Sequence, residues 1–115
     1  MLPFFDMLQN ILQKPLKDIN DNIADYNDTI VYELDSLVKQ TTITQTKNQY
    51  IASINLLYIT KNTEINHNNN ALKILNNLES YNAKVIQKVT FSQLIIINAT
   101  KYLVTNYELS FNYPS

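Results

Sequence analysis

The chain of 115 residues contains no glycine, and this absence constrains its fold more than any other feature. Glycine enters left-handed backbone conformations at little steric cost, so phosphate-binding loops, type I′ hairpins and nucleophile elbows usually contain it. A chain without glycine builds most easily from helices that short polar turns connect. We therefore expect an all-α fold and no active site on a sharp loop.

Length and composition set further bounds on the class of protein. A chain of this length is the size of one domain, and we predict a single helical-bundle domain over residues 1–115 with a frayed tail at residues 110–115. The charged fraction of 17% lies below the usual value of about 25%, so uncharged polar residues must supply much of the surface. The abundant Asn, Ile and Tyr have AT-rich codons, which indicates an AT-rich genome such as that of a virus, a mobile element or a low-GC microbe.

The charge pattern bears on the expected partners and location. The net charge is −1 and there is no arginine, whereas nucleic-acid binding relies on basic patches, so we predict no nucleic-acid binding. Without cysteine, disulfides and thiolate metal sites are excluded. The apolar run at residues 94–97 is far too short for a membrane span, and no secretory signal is recognisable. We expect a cytoplasmic protein, in the host cytoplasm if it is viral.

Apolar residues recur at helical spacing in the first third of the chain. We predict a short amphipathic helix over residues 1–14, with Pro3 in its first turn. Residues 16–39 are predicted as a second helix, because seven apolar residues recur there at steps of three and four, with aspartates on the opposite side. The stretch at residues 41–44 is predicted to break the helical pattern.

The remainder of the chain is also interpreted as helical. A third helix is predicted to end at about residue 65, a turn at residues 66–70, and a fourth helix from there onward. Residues 85–105 are rich in β-branched side chains and could include a strand, but no glycine or proline interrupts the pattern. We therefore predict a mostly antiparallel bundle of four helices, or of five if the last helix breaks near residue 90.

Residues 18–29 resemble a calcium-binding loop only in part. Asp18, Asn20 and Asn22 match the first three ligand positions, but Ile23 stands where glycine is needed and Thr29 where the final glutamate is needed. We interpret the acidic residues as a solvated helix face and predict no metal site.

The remaining polar residues give no catalytic constellation. His67 is the only histidine and lies among asparagines, so we interpret it as an exposed turn residue. No nucleophile or orienting carboxylate stands beside it in the sequence, and the glutamates are scattered. We predict no catalytic residue and no cofactor.

Excess apolar surface is the strongest functional indication. The apolar stripe of the last predicted helix is longer than the second helix can cover, and exposed apolar patches mark contact sites. We predict a small non-catalytic protein-interaction module, such as a viral or mobile-element accessory protein that binds a protein target or itself. A self-associated dimer is favoured slightly over a hetero-partner. The alternatives are a structural subunit of a virion or coiled-coil complex and, remotely, an enzyme.

Two surfaces are the predicted partner contacts. One is the apolar face of the N-terminal helix, which either packs across the bundle or docks into a partner groove. The other is a tyrosine on the acidic side of the second predicted helix. The predicted contact residues are Phe4, Phe5, Leu8, Ile11, Leu12 and Tyr32.

Overall fold

Two helices pack on one face of a five-stranded sheet in the computed structural model, which describes residues 3–40 and 49–114. The elements in chain order are α1 (Pro3–Leu12), β1 (Leu16–Asp18), β2 (Thr29–Gln40), β3 (Gln49–Lys61), α2 (His67–Asn82), a 3₁₀ turn (Ala83–Val85), β4 (Ile86–Ile97) and β5 (Thr100–Pro114). The prediction of an all-α helical bundle, and of a coiled coil, is therefore wrong.

The predictions for individual segments of the chain have different outcomes. The N-terminal helix is confirmed as α1, and a helix also forms near the predicted start of the fourth one. The second and third predicted helices are wrong, because they are replaced by β1, β2 and β3. Residue 90 marks no break between helices, since it lies within β4. The frayed tail predicted for residues 110–115 is wrong for residues 110–114, which continue β5. The break predicted at residues 41–44 lies outside the described residues.

The sheet has the strand order β1-β2-β3-β5-β4. The short β1 pairs with β2 in parallel, and the other three pairings are antiparallel. Because β3 and β4 both run antiparallel to β5, they are parallel to each other, and α2 is the crossover between them. The last strand, β5, then inserts between β3 and β4 and becomes a central strand. This leaves β4 as the outermost strand on that side.

The main core lies between the helices and one face of the sheet, here called the helix-side face. On β3 the alternate residues Ala52, Ile54, Leu56 and Tyr58 point toward it, as the two-residue period of a strand requires. Residues of β5 opposite them in register continue the same layer. The buried apolar residues of α1 and α2 that cover this face are Leu8, Leu12, Ala71, Ile74 and Leu78.

A smaller apolar cluster lies on the opposite face. Val31, Ile59 and Val104 are buried there, one each from β2, β3 and β5. The segment between β1 and β2 covers them with Ile23 and Tyr26, and the Tyr26 ring makes an edge-to-face contact of 5.9 Å with the ring of Tyr102. The segment predicted as a solvated acidic helix face is thus a loop that covers part of the sheet.

The hairpin between β4 and β5 is a two-residue turn without glycine. Its register closes on Ile97 opposite Thr100, so Asn98 and Ala99 form the turn, with φ values of 49° and 64°. Positive φ at both central residues defines a type I′ turn, which normally has glycine at the second position. Asparagine tolerates this region, whereas alanine pays a steric cost of about 1–2 kcal/mol. The expectation that a glycine-free chain avoids such turns was wrong.

Ala99→Gly is therefore expected to stabilise the protein by about 1 kcal/mol. The substitution removes the steric cost of the left-handed alanine, and the greater freedom of glycine in the unfolded chain, worth about 0.4–1 kcal/mol, offsets part of that gain. Urea unfolding of the two proteins measures the difference.

Ala83→Gly is the matched control for this substitution. Ala83 is also exposed, but its φ is −59°, so glycine should lower stability there by about 0.5–1 kcal/mol. If both substitutions changed stability in the same direction, the assignment of turn strain to Ala99 would be contradicted.

Candidate functional site

The only histidine of the chain lies at the centre of a buried hydrogen-bonded group. His67 is the first residue of α2 and is 1% exposed. Its Nδ1 lies 2.8 Å from Oγ1 of Thr60 on β3, and its Nε2 lies 2.8 Å from Oγ1 of Thr105 on β5. The ring also stacks on Tyr58, with 5.0 Å between centroids. The prediction that His67 is an exposed turn residue is wrong.

The neighbouring hydrogen bonds assign a neutral tautomer to His67. The hydroxyl of Thr60 donates to the carbonyl of Lys61, so it accepts a hydrogen bond from Nδ1–H. The hydroxyl of Thr105 accepts from the backbone N–H of Ser92 and can donate its own proton to Nε2. Each hydroxyl then donates once and accepts once, which is the complete use of its single proton.

A protonated His67 would disturb this arrangement in two ways. Its Nε2 would become a donor and would compete with the proton of Thr105. A positive charge at the N-terminus of α2 is also unfavourable, because that end of a helix carries a partial positive charge. Burial lowers the pKa of His67 from its usual value, and the negative charge of Glu64 opposes this shift only in part. A buried, fully bonded imidazole of this kind has no access to a substrate, so it acts in structure.

A second polar group joins the segment after α1, the loop before β2, strand β3 and helix α2. The hydroxyl of Tyr58 donates to Asp28 at 3.1 Å and accepts from the side-chain amide of Asn70 at 3.1 Å. Lys14 forms an ion pair of 2.8 Å with the same carboxylate of Asp28. Burial is the main reason that the pKa of Tyr58 rises to about 12, and Asp28 adds to the shift. The phenol therefore stays neutral at physiological pH.

Two clefts of about 410 Å³ and 240 Å³ share Lys14 and Asp28 in their lining. The larger also contains Lys17 and Asp25, and the smaller contains Lys73. Each cleft contains both ammonium and carboxylate groups, so neither is lined by charges of one sign only, the arrangement that attracts a charged ligand. In the described part of the chain, no three His, Asp or Glu side chains lie close enough together to hold a metal ion.

An exposed apolar surface lies on β4 and the neighbouring turn of α2. It is formed by four residues that are 40–65% exposed, and we call it the β4 surface: Leu72, Phe91, Leu94 and Ile96. The register of β4 with β5 places Leu94 and Ile96 opposite Leu103 and Lys101, on the helix-side face. Leu72 and Phe91 line one open depression with Asn68 and Ser92.

A β-bulge in β4 positions this surface. The register shifts between Thr90 and Gln93, so Phe91 and Ser92 together oppose one residue of β5, and Ser92 has a φ of 52°. The backbone N–H of Ser92 donates to Thr105, and its hydroxyl donates to the side chain of Asn68 on α2. The bulge is thus attached to α2 and, through Thr105, to His67.

Apart from its bulges, the outer edge of β4 lacks the usual protection against strand pairing. Natural edge strands carry charges or prolines that discourage pairing with another chain. Residues 91–100, which cover the bulge, the rest of β4 and the turn, contain no charged residue and no proline. In the described structure, the side of β4 that faces away from β5 pairs with no strand. This combination of a free edge and exposed apolar side chains is typical of an interaction surface.

The structure places the predicted contact residues mostly away from this surface. Leu8 and Leu12 are buried in the main core, and Ile11 is half-buried on α1. The side chains of Phe4 and Phe5 lie outside the described residues. Tyr32 is half-buried on β2, where burial and then the negative charge of Asp18 raise its pKa. Contact of these residues with a partner stays a prediction.

The β4 surface was not predicted, although the sequence contains a signal for it. A run of four apolar residues inside a charge-free stretch rich in β-branched side chains is a strand pattern as much as a helical one. The helical interpretation placed these residues in a bundle and so removed the sheet edge from consideration.

Comparisons with known proteins give no assignment. The chain matches neither a model of a protein family nor a curated protein. Among the described residues, neither helix combines the length and the apolar character that crossing a membrane requires.

Stability should fall as the pH drops below about 6.5, the ordinary histidine value. Because the pKa of His67 is lowered in the folded state, the unfolded chain takes up the proton first. The stabilisation is complete above the unfolded pKa and is lost as the pH falls toward the folded pKa, with a slope of at most about 1.4 kcal/mol per pH unit. Urea unfolding at pH 7.5 and 5.0 measures the loss.

His67→Gln is the control for this pH dependence, because the chain has no second histidine. The variant should be less stable than the wild type at pH 7.5 by about 1–3 kcal/mol, since an amide cannot satisfy both threonines. The difference should shrink at pH 5.0. An equal loss of stability between the two pH values in both proteins would show that another group is responsible.

Proposed function

We propose that this chain is a non-catalytic protein-interaction module that binds through the β4 surface. The observation that carries the proposal is an outermost strand with no charge over residues 91–100 and with Phe91, Leu94 and Ile96 exposed along it. A partner that covers this strand would satisfy its free backbone groups and remove apolar side chains from water.

The mode of binding that fits this surface is strand addition. An extended segment that pairs with the edge of a sheet gains main-chain hydrogen bonds, and alternate side chains give specificity. Leu94 and Ile96 stand two residues apart on one face of β4, so they present the spacing that a partner strand matches. Leu72 on α2 extends the apolar contact beyond the strand.

The other edge of the sheet is less suited to this role. The part of β2 that follows its pairing with β1 has three exposed apolar side chains, those of Leu34, Leu37 and Val38. That part of β2 also carries Glu33, Asp35 and Lys39, and a bulge interrupts it between Leu34 and Ser36. Both edges contain a bulge, but residues 93–97 of β4 have neither a bulge nor a charge, whereas charges protect this part of β2. This edge therefore serves as the internal control for the proposal.

Two observations support a role in binding over one in catalysis. Both ring nitrogens of His67 and the hydroxyl of Tyr58 already have hydrogen-bond partners within the chain. The ionisable groups at the clefts beside Lys14 are paired or of mixed sign, and none stands beside a nucleophile in the arrangement that acid–base catalysis requires.

Site-specific photo-crosslinking in the native host tests the proposal. A photoreactive phenylalanine analogue replaces Leu94 in one variant and Val38, which is similarly exposed on the other edge, in a second variant. We expect protein adducts from position 94 and few from position 38. Adding Ile96→Lys to the first variant should abolish its adducts, because the lysine places a charge on the edge.

The outcome that contradicts the proposal is equally specific. Equal yields of adducts from both positions, or none from position 94, would exclude the β4 surface as the binding site. The melting temperature of each variant must match that of the wild type for this comparison to hold.

A further inference from the structure

We infer that the partner of the β4 surface is a second copy of this chain, paired strand to strand across a two-fold axis at Ile95. The inference rests on the proposed function and names its partner. In this arrangement the β4 strands of two copies run antiparallel, and the two five-stranded sheets join into one continuous sheet. Such an interface is isologous, because each copy contributes the same residues.

The lack of charge on β4 favours pairing with a second copy. A two-fold axis places a strand opposite itself, so a charged residue near the axis would lie close to its own copy, and like charges opposite each other are destabilising. Residues 91–100 have no charge, so this part of β4 meets its copy without repulsion. The same symmetry disfavours β2, since Glu33, Asp35 and Lys39 are spread along the part of it that lies beyond β1.

The apolar side chains of β4 favour one register between the two β4 strands. An axis at Ile95 places Leu94 opposite Ile96 of the second copy, and Gln93 opposite Ile97. Leu94 and Ile96 both project on the helix-side face, so the two apolar pairs meet on one face of the joined sheet. A shift by one residue would place side chains of opposite faces against each other, which the pleat of a sheet does not allow.

The size of the β4 surface is that of a weak interface. The four side chains of the β4 surface together expose on the order of 400 Å² per chain, which is within the range of about 300–600 Å² for the largest apolar patch of a typical monomer. Two copies together would bury on the order of 800 Å² of these side chains, which is below the value of about 1,200 Å² at which stable specific interfaces begin. The expected dimer is therefore weak and reversible, and it should dissociate on dilution.

The oligomeric state as a function of concentration tests the pairing. Light scattering coupled to size exclusion, from low micromolar to near-millimolar concentration, should show a monomer that becomes a dimer. Ile96→Lys should abolish the dimer because it places two lysines beside the shared axis. Val38→Lys, a substitution of similar exposure on the other edge, should leave dimer formation unchanged. A monomer at every concentration would overturn the inference.

Introduced cysteines test the axis itself, because the natural chain has none. Residues directly opposite in an antiparallel pair have Cβ atoms about 4.5–5.5 Å apart, near the reach of a disulfide, whereas diagonal neighbours are about 7–8 Å apart. Under mild oxidation, Ile95→Cys should form a covalent dimer. A mixture of Leu94→Cys and Ile96→Cys chains should cross-link faster than either variant alone.

Ile95 is half-buried, so its substitution could disturb the fold. Leu94 and Ile96 are both exposed, so the mixture tests the axis without changing a half-buried residue. Cross-linking that is as fast for Leu94→Cys alone as for the mixture would overturn the proposed register.

These results are separable from those for the proposed function. If the photo-crosslinks from position 94 contain a different protein and the chain stays monomeric, the second copy is excluded while the β4 surface remains the binding site. If position 94 gives no adduct and the chain stays monomeric, both fail.

Discussion

The hydrogen bonds of His67 connect α2 directly to β3 and β5 and, through Thr105, to β4. One ring nitrogen bonds to Thr60 on β3 and the other to Thr105 on β5, so the start of α2 is fixed to the two central strands. Thr105 also accepts from Ser92, which ties the bulge of β4 to the same centre. A buried group of this kind is stabilising only when every member is satisfied, and a neutral imidazole satisfies both threonines. The position of the exposed β4 surface therefore depends on a residue that is itself hidden from solvent.

The fold also explains why a sheet edge is left available. The crossover through α2 carries the chain past the position that β5 later fills, so β4 becomes the outermost strand. The helices cover the centre of the sheet but leave Leu94 and Ile96 on the same face exposed. Residues 93–97, between the bulge and the turn, have no charge, proline or bulge that would discourage pairing. A weak, symmetric strand pairing would cover these side chains and close that edge.

The bulges of β2 and β4 explain part of the helical spacing in the sequence. In a regular strand the residues of one face are separated by two, but a bulge adds one residue to that interval. Leu34 and Leu37 both lie on the helix-side face of β2, although they are three residues apart, because Asp35 is inserted between them. The bulge at Gln87 does the same for Ile86 and Val89 on β4. Spacings of two, three and four on one face are then indistinguishable from a helical stripe by counting alone.

The sequence by itself determined the amphipathic helix α1 and the charge-free segment at residues 91–100, which follow from short-range spacing and from composition. It determined the core only in part, because the predicted helical stripes include Leu34, Leu37 and Leu72, which are exposed. Only the tertiary structure decided that the long apolar segments are strands, that His67 is buried and that β4 is an edge, because each depends on hydrogen bonds between residues far apart in the chain. The absence of glycine was a poor guide, since Asn98 and Ala99 adopt a left-handed turn that the pairing of β4 with β5 stabilises.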